Sequence, residues 1–354
     1  MRVLPAVLAV LLTLGCGDKK TEAGDGGVPS PVDAGGDLPD GSAGAADGGG
    51  WAPDASVAPD AGPVDAGEPP GWEVVPSNAT EWLQGITGFA LDDVWAVGLK
   101  SSAAPRTVLL HWDGVSWNPA LYQPASNLLT VWGSTGQDVW AGGMGGTLLH
   151  HDGNAWTAVS SGPGFSIYGL FGFSSQDVWA VGTGGGTSHF TGTWNDVAGT
   201  DPGDWLWAAW GADPQDVWVA GHEGNGQEAR IYRWQGSALS GVTPPAGAKG
   251  LWSLWGTSSS DVWACGKERT VLHFDGQAWS ADTNVPAGPE TLHGGWASSP
   301  DNMWVVGQEG LVLHRDASGW HDKSPGVAQN LWGVWGTGTT VWVVGRDGLI
   351  LRRG

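Results

Sequence analysis

Seven copies of one short pattern constrain this chain more than any other feature. Asp-Val-Trp, or a close variant, places a Trp at 95, 140, 179, 218, 263, 304 and 342. A Gly follows three residues later every time, at 98, 143, 182, 221, 266, 307 and 345. Successive Trp residues lie 38 to 45 residues apart. A period of that size signals supersecondary units that bury their apolar faces only against their neighbours.

One unit, residues 251–279, reads as four strands. Residues 251–256 are apolar and aromatic and end in Gly, 257–261 are a polar turn, and 262–266 form a second apolar run. Residues 270–274 form a third. Asp275-Gly276 then reads as a hairpin turn in which both central residues take positive φ, and Ala278-Trp279 opens a fourth strand. No stretch shows an apolar period near 3.6. The expectation is an all-β chain: a seven-bladed β-propeller of four-stranded antiparallel blades over residues 71–354.

Counting positions sharpens this. Twelve residues before the repeated Trp stand Leu83, Leu128, Ile167, Leu206, Leu251 and Leu292, with Leu331 at eleven. Four residues further on comes an aromatic, at Trp132, Phe171, Trp210, Trp255, Trp296 and Trp335; only Thr87 departs. Ten residues after the Trp lie His150, His189, His273, His314 and Arg352. The matching His111 and Arg233 arrive later, so repeats one and four carry insertions between their second and third strands. The last repeat stops after its third strand. An orphan strand at 71–76 is expected to complete it and so remove an exposed edge.

The residues before 71 differ in kind. Arg2 precedes an apolar run at 3–14 that is too short to span a bilayer and reads as an export signal, 1–15. Gly15-Cys16 after Leu-Thr-Leu resembles the lipobox of bacterial lipoproteins. That resemblance implies a lipid on Cys16, and Gly17 after it implies the outer membrane. Residues 16–70 are rich in Asp, Gly, Ala and Pro, with Trp51 as the only aromatic, and are expected to be a disordered acidic tether.

The chain carries a net charge of −21, which argues against nucleic acid as a partner. Cys265 stands where sister repeats have Val and reads as a small buried hydrophobe. Most of the 26 Trp occupy repeated positions, which points to packing between blades. The Asp of Asp-Val-Trp (Asp93, Asp138, Asp177, Asp216, Asp261) is expected to cap the turn before it. Seven His or Arg positions spread round a ring do not converge on a metal, so neither metal nor cofactor is expected. No nucleophile elbow, Walker loop or His-Glu-x-x-His is present.

The repeat resembles the Trp-rich Asp-Val-Trp-Ala-Val-Gly propellers of bacterial surface lipoproteins. His-x-Asp-Gly-x-x-Trp, at 150–156 and 273–279, is more distantly similar to turns of tectonin-type lectins and Asp-box (sialidase-like) propellers. Tectonins imply carbohydrate binding, and Asp-box propellers imply sugar hydrolysis or protein assembly. The sialidase arginine cluster and tyrosine nucleophile have no match here; the tyrosines are Tyr122, Tyr168 and Tyr232.

The insertions, near 99–106 and 222–230, should share one face with the links between blades, where variable loops carry function. Trp82, Trp205, Trp207, Trp252 and Trp332 enter or begin first strands on that face and are the expected ligand-binding residues. No catalytic residues are expected. The reading is a monomeric, lipid-anchored, non-enzymatic binding module of the cell envelope, for glycan or alternatively an envelope protein. A glycoside-processing enzyme is the further alternative, and would need two carboxylates in the central cleft.

Overall fold

The computed structural model describes residues 71–100, 107–120 and 126–354. The export signal, Cys16 and the tether lie outside the described residues. Seven four-stranded antiparallel sheets form a closed ring, in which the first strand of every blade lies against the first strands of both neighbours. The chain is a seven-bladed β-propeller.

Blade 5 shows the build. Its strands Leu251–Ser258, Asp261–Gly266, Val271–Phe274 and Trp279–Ala281 pair in sequence order. The second strand is apolar at successive residues because both of its faces are covered. Val262, Ala264 and Cys265 are fully buried, and burial pushes the Cys265 thiol well above its usual range. We call the face bearing the second-to-third turns and the interblade links the upper face, and the opposite one the lower face.

The repeated Trp works at the joints. In five blades it stacks on the third-strand His of its own blade, Trp95 on His111, Trp140 on His150, Trp179 on His189, Trp263 on His273 and Trp304 on His314, all at 4.1–4.2 Å, and in the other two Arg233 lies over Trp218 and Arg352 over Trp342. Its other side meets the next blade. Trp140 packs against Phe190 and Trp194, Trp179 against Trp234, and Trp218 against Phe274 and Trp279. The core is therefore seven interblade clusters, each mixing residues of two blades, as where Trp179 and Val181 join Leu206, Val217 and Val219.

The Asp of Asp-Val-Trp does not cap the turn as expected. Its carboxylate holds the stacked His: His111 Nε2–Asp93 is 2.8 Å, His150–Asp138 2.7 Å, His189–Asp177 2.7 Å and His273–Asp261 2.8 Å. Arg233 does the same on Asp216 in blade 4, and His314 on Asn302 in blade 6. The reason is register. The Asp opens the second strand while the His approaches the end of the antiparallel third, which brings the two side chains together. The capping falls to the residue three positions earlier, as where Asp213 Oδ1 accepts Gln215 N–H at 2.7 Å.

The Asp-Gly turn also differs from expectation. Phe274 pairs with Trp279, so the loop has four residues rather than two, and only Gly276 has positive φ, at 91°. Asp275 Oδ1 instead accepts the N–H groups of Gln277 and Ala278. Asp152 and Asp113 repeat this arrangement, and the donated backbone bonds lower all three carboxyls below the usual range.

The invariant Gly answers to close approach, not to positive φ. A Cβ on Gly182 would lie 1.8 Å from the Ser166 carbonyl oxygen, and one on Gly266 1.9 Å from that of Gly250. Those carbonyls accept the next N–H, Thr183 at 3.1 Å and Lys267 at 2.9 Å, which stitches each blade's entry to its second strand.

Strand Glu73–Val74 closes the ring as expected. Glu73 pairs with Arg352 and Val74 with Leu351, and Val75 N–H donates to Ile350 at 2.9 Å. Trp72 meets Trp304 edge-on at 5.7 Å, and its indole N–H donates to the Lys323 carbonyl at 2.6 Å.

Candidate functional site

Every first strand slips register by one residue against its second strand near its upper end. The slips lie between Leu83 and Gly85, Leu128 and Thr130, Ile167 and Gly169, Leu206 and Ala208, Leu251 and Ser253, Leu292 and Gly294, and Leu331 and Gly333. Each slip is a β-bulge, which re-aims a side chain. The bulged residues are Gln84, Leu129, Tyr168, Trp207, Trp252, His293 and Trp332. They sit on the innermost strands, one per blade, and form a collar at the upper end of the ring.

Three of the five expected Trp residues, Trp207, Trp252 and Trp332, are thus equivalent positions of one collar. Neighbours in it touch. Tyr168 stacks on Trp207 at 4.3 Å, Trp207 meets Trp252 at 5.9 Å, and His293 stacks on Trp332 at 3.9 Å. Trp205 joins the first group, 6.0 Å from both Tyr168 and His222. Trp82 stands apart beneath the Arg346 guanidinium, 4.3 Å from its ring centre, a cation–π contact. The structure therefore brings together Trp205, Trp207 and Trp252, and leaves Trp332 and Trp82 in separate contacts.

The main group stands on a raised hairpin. Blade 4 has longer inner strands, Asp204–Asp213 and Asp216–Glu223, which pair Trp205 with His222 above the level of the sister blades. Arg230 braces this hairpin, with Nε 3.3 Å from Asp204 and Nη2 3.0 Å from Glu223. Tyr232 donates to Asp204 at 2.5 Å and accepts Asp201 N–H. Burial raises the Asp204 carboxyl, against the pull of Tyr232 and Arg230. Beside the hairpin runs a groove of about 400 Å³, lined by residues 227–230 and 244–249.

His222 was not expected from the sequence, yet it centres the group. It is fully buried; its Nδ1–H donates to the Glu223 carbonyl at 2.6 Å, and its Nε2 accepts the Trp207 indole N–H at 2.9 Å. Both nitrogens are committed in the neutral form, and burial lowers the imidazole's basicity. His293 is the stronger case. Its Nδ1–H donates to the Leu331 carbonyl at 2.9 Å, and burial pushes it down to about 4.

This arrangement has a pH signature. A His held neutral by the fold but ordinary when unfolded contributes stability that is complete above pH 6.5 and lost as pH falls from 6.5 to about 4. The loss for His293 is up to about 3 kcal/mol. Thermal melts between pH 7 and 4.5 should show that decline, and His293→Phe should flatten it while keeping the stack on Trp332. An unchanged pH slope in the variant would mean that His293 is not the titrating group.

The collar's signal in the sequence is the residue after the constant Leu/Ile. That column varies between Gln, Leu, Tyr, Trp and His while the Leu/Ile before it stays constant. Among the described residues, no three of His, Cys, Asp or Glu converge as a metal cluster.

No protein-family model and no curated protein matches this sequence. Solved propellers do match its fold. YCF48 bound to D1 peptide aligns with TM-score 0.62 and 14% identity over 82% of this chain and 99% of its own. The WD40 propeller domain of Doa1 gives 0.65 and 11% over 80% and 95%. Virginiamycin B lyase from Staphylococcus aureus gives 0.63 and 13% over 80% and 99%. At such identities the likeness is one of fold.

Proposed function

We propose that this chain is a non-enzymatic binding module, exported and anchored at the cell envelope through Cys16, whose upper face docks an extended segment of a partner protein. One observation carries the choice between polypeptide and sugar at this face: three of the five indoles expected to stack on a sugar already have an occupied face. Tyr168 covers Trp207, His293 covers Trp332 and Arg346 covers Trp82. What remains is a spread of half-buried indoles, Trp205, Trp207 and Trp332, over an otherwise buried collar, which suits several side chains spread over roughly 800 Å² better than one ring. That a propeller of this fold has been solved with a peptide bound is compatible with this use.

The test places a photo-cross-linking residue at Asn225, on the hairpin's exposed tip, and separately at Gln235 on the lower face, in the full-length chain in cells. A discrete protein adduct from position 225, lost with Trp207→Ala and absent from position 235, is the expected result. Equal labelling from both faces would overturn the reading. So would glycan-array binding that Trp207→Ala abolishes, which would return the collar to sugar. Turnover of a glycoside would overturn the non-enzymatic assignment.

A further inference from the structure

We propose that His222 is the positioning residue of the upper-face docking site: its neutral imidazole holds Trp207 in place, and protonating it releases Trp207 and with it the partner. The inference rests on the upper-face reading above. His222 is fully buried among three indoles, its ring centre 6.0 Å from Trp205, 6.0 Å from Trp207 and 5.1 Å from Trp252. Two hydrogen bonds fix its chemistry. The Glu223 carbonyl can only accept, so Nδ1 carries the proton; the Trp207 indole N–H can only donate, so Nε2 carries the lone pair. One tautomer of the neutral ring satisfies both partners, and the imidazolium satisfies only the carbonyl.

The repeat supplies its own controls. The residue after the constant Gly is Leu99, Met144, Thr183, Lys267, Gln308 or Arg346 in the other blades, and each is half-buried. No sister blade buries this position, so the fold itself makes no demand for a ring there. In blade 4 the second strand runs on to Glu223 and pairs His222 with Trp205 across the hairpin, which carries the imidazole into the collar. The collar shows the other half of the match. The Trp207 N–H has His222 as its acceptor, whereas the Trp332 N–H is buried with no partner among the described residues. Tyr168 stacks on the held indole at 4.3 Å, so one hydrogen bond orders two collar rings.

A proton on Nε2 sets two N–H groups against each other across a 2.9 Å contact. Neither can accept, and a buried donor without an acceptor is costly, so the indole must turn away and the Tyr168 stack goes with it. The groups around the ring oppose one another. Burial is the largest influence and disfavours the imidazolium; the bond to the Glu223 carbonyl and the Asp204 and Glu223 carboxylates favour it, and Lys267 of blade 5 disfavours it. Arg230 engages Asp204, Glu223 and Glu228, which mutes those carboxylates, and Lys249 lies on the link that bridges to Glu228. The balance leaves the imidazole less basic than the ordinary 6.5. The site is therefore complete at neutral pH. Docking weakens as pH falls below 6.5, by up to about 10-fold per pH unit once the ring titrates.

The first measurement needs no partner. The purified full-length chain is labelled with fluorotryptophan and its fluorine NMR spectrum followed from pH 7.5 to 4.5, with Trp207→Phe assigning the Trp207 signal. That signal should titrate with one midpoint below 6.5. His222→Gln, which puts a neutral acceptor near the Nε2 position, should hold it still. Photo-cross-linking from position 225 is then repeated on cells at pH 7.5 and 4.5. The parent adduct should fall at least about 10-fold at the lower pH, and the His222→Gln adduct by less than about 3-fold. His222→Phe, which packs without an acceptor, should lose most of the adduct already at pH 7.5. The proposal is overturned if the Trp207 signal does not titrate, if the parent adduct is unchanged in acid, if His222→Gln loses its adduct as the parent does, or if His222→Phe keeps it. No adduct from position 225 at any pH would sink the upper-face reading instead, and the fluorine titration would still decide whether His222 holds Trp207.

Discussion

Deleting residues 71–76 from the full-length chain should lower its melting temperature by at least about 10 °C and make it prone to self-association. The deletion removes Glu73–Val74, the fourth strand of the last blade, and leaves the strand Ile350–Arg353 with an unpaired outer edge. It also removes Trp72, which packs edge-on against Trp304 and belongs to the cluster around Val306, Leu331 and Leu351. Losing a Trp from such a cluster costs about 3–5 kcal/mol. A domain of this size shifts by roughly 2 °C per kcal/mol. The strand's backbone bonds and the further bond from Ser77 Oγ–H to the Gly348 carbonyl at 2.7 Å hold the same closure. Calorimetry and size-exclusion chromatography would read both effects, since the open edge is a template for pairing with another copy. A deletion variant that melts like the parent and stays monomeric would show that the ring does not depend on this strand.

Constant columns made the architecture legible. Leu or Ile at the start of each first strand, the repeated Trp and the Gly after it are constrained by contacts that recur at every joint, so spacing alone discloses them. The bulges were hidden because a bulge is a relation between two strands: nothing in the residues around Trp207 or Trp252 states how Leu206 and Ala208 pair with Gly221 and Ala220. The break at Thr87 has another cause. In most blades the aromatic lies over a Gly of the next blade, as Trp132 over Gly172 and Trp210 over Gly256. In blades 1 and 3 a Phe two residues on covers that Gly instead, Phe89 over Gly133 and Phe173 over Gly211. Thr87 keeps the register of its sisters, pairing with Trp95 as Trp132 pairs with Trp140, so the packing is supplied from a different position and counting reads it as an exception. The role of the Asp in Asp-Val-Trp was misread for a related reason. Its partner is ten or more residues away along the chain but adjacent across the pair of strands.

The second large effect separates the two kinds of Trp that a count cannot. Trp179→Ala should destabilise the fold by about 4 kcal/mol. Trp179 is fully buried; it stacks on His189 at 4.2 Å, meets Trp234 of the next blade at 5.2 Å and joins a cluster with Leu206, Val217 and Val219. Both blades are fixed in the ring, so neither can move to fill the space, and the cavity cost adds to the lost transfer energy. His189 would also lose its stack while still tied to Asp177. Trp205→Ala should behave oppositely. Trp205 is half-buried at the top of a hairpin that Arg230 and Tyr232 brace from below, and its nearest rings lie at 6.0 Å. Its removal should cost about 1 kcal/mol or less in stability, yet weaken partner docking by 2 kcal/mol or more, roughly 30-fold, if it is an anchor of the interface. Denaturant melts and affinity measurements on the two variants therefore form a crossed pair. Equal destabilisation by both would mean that the blade 4 hairpin is part of the structural core, and the upper-face reading would fall with it.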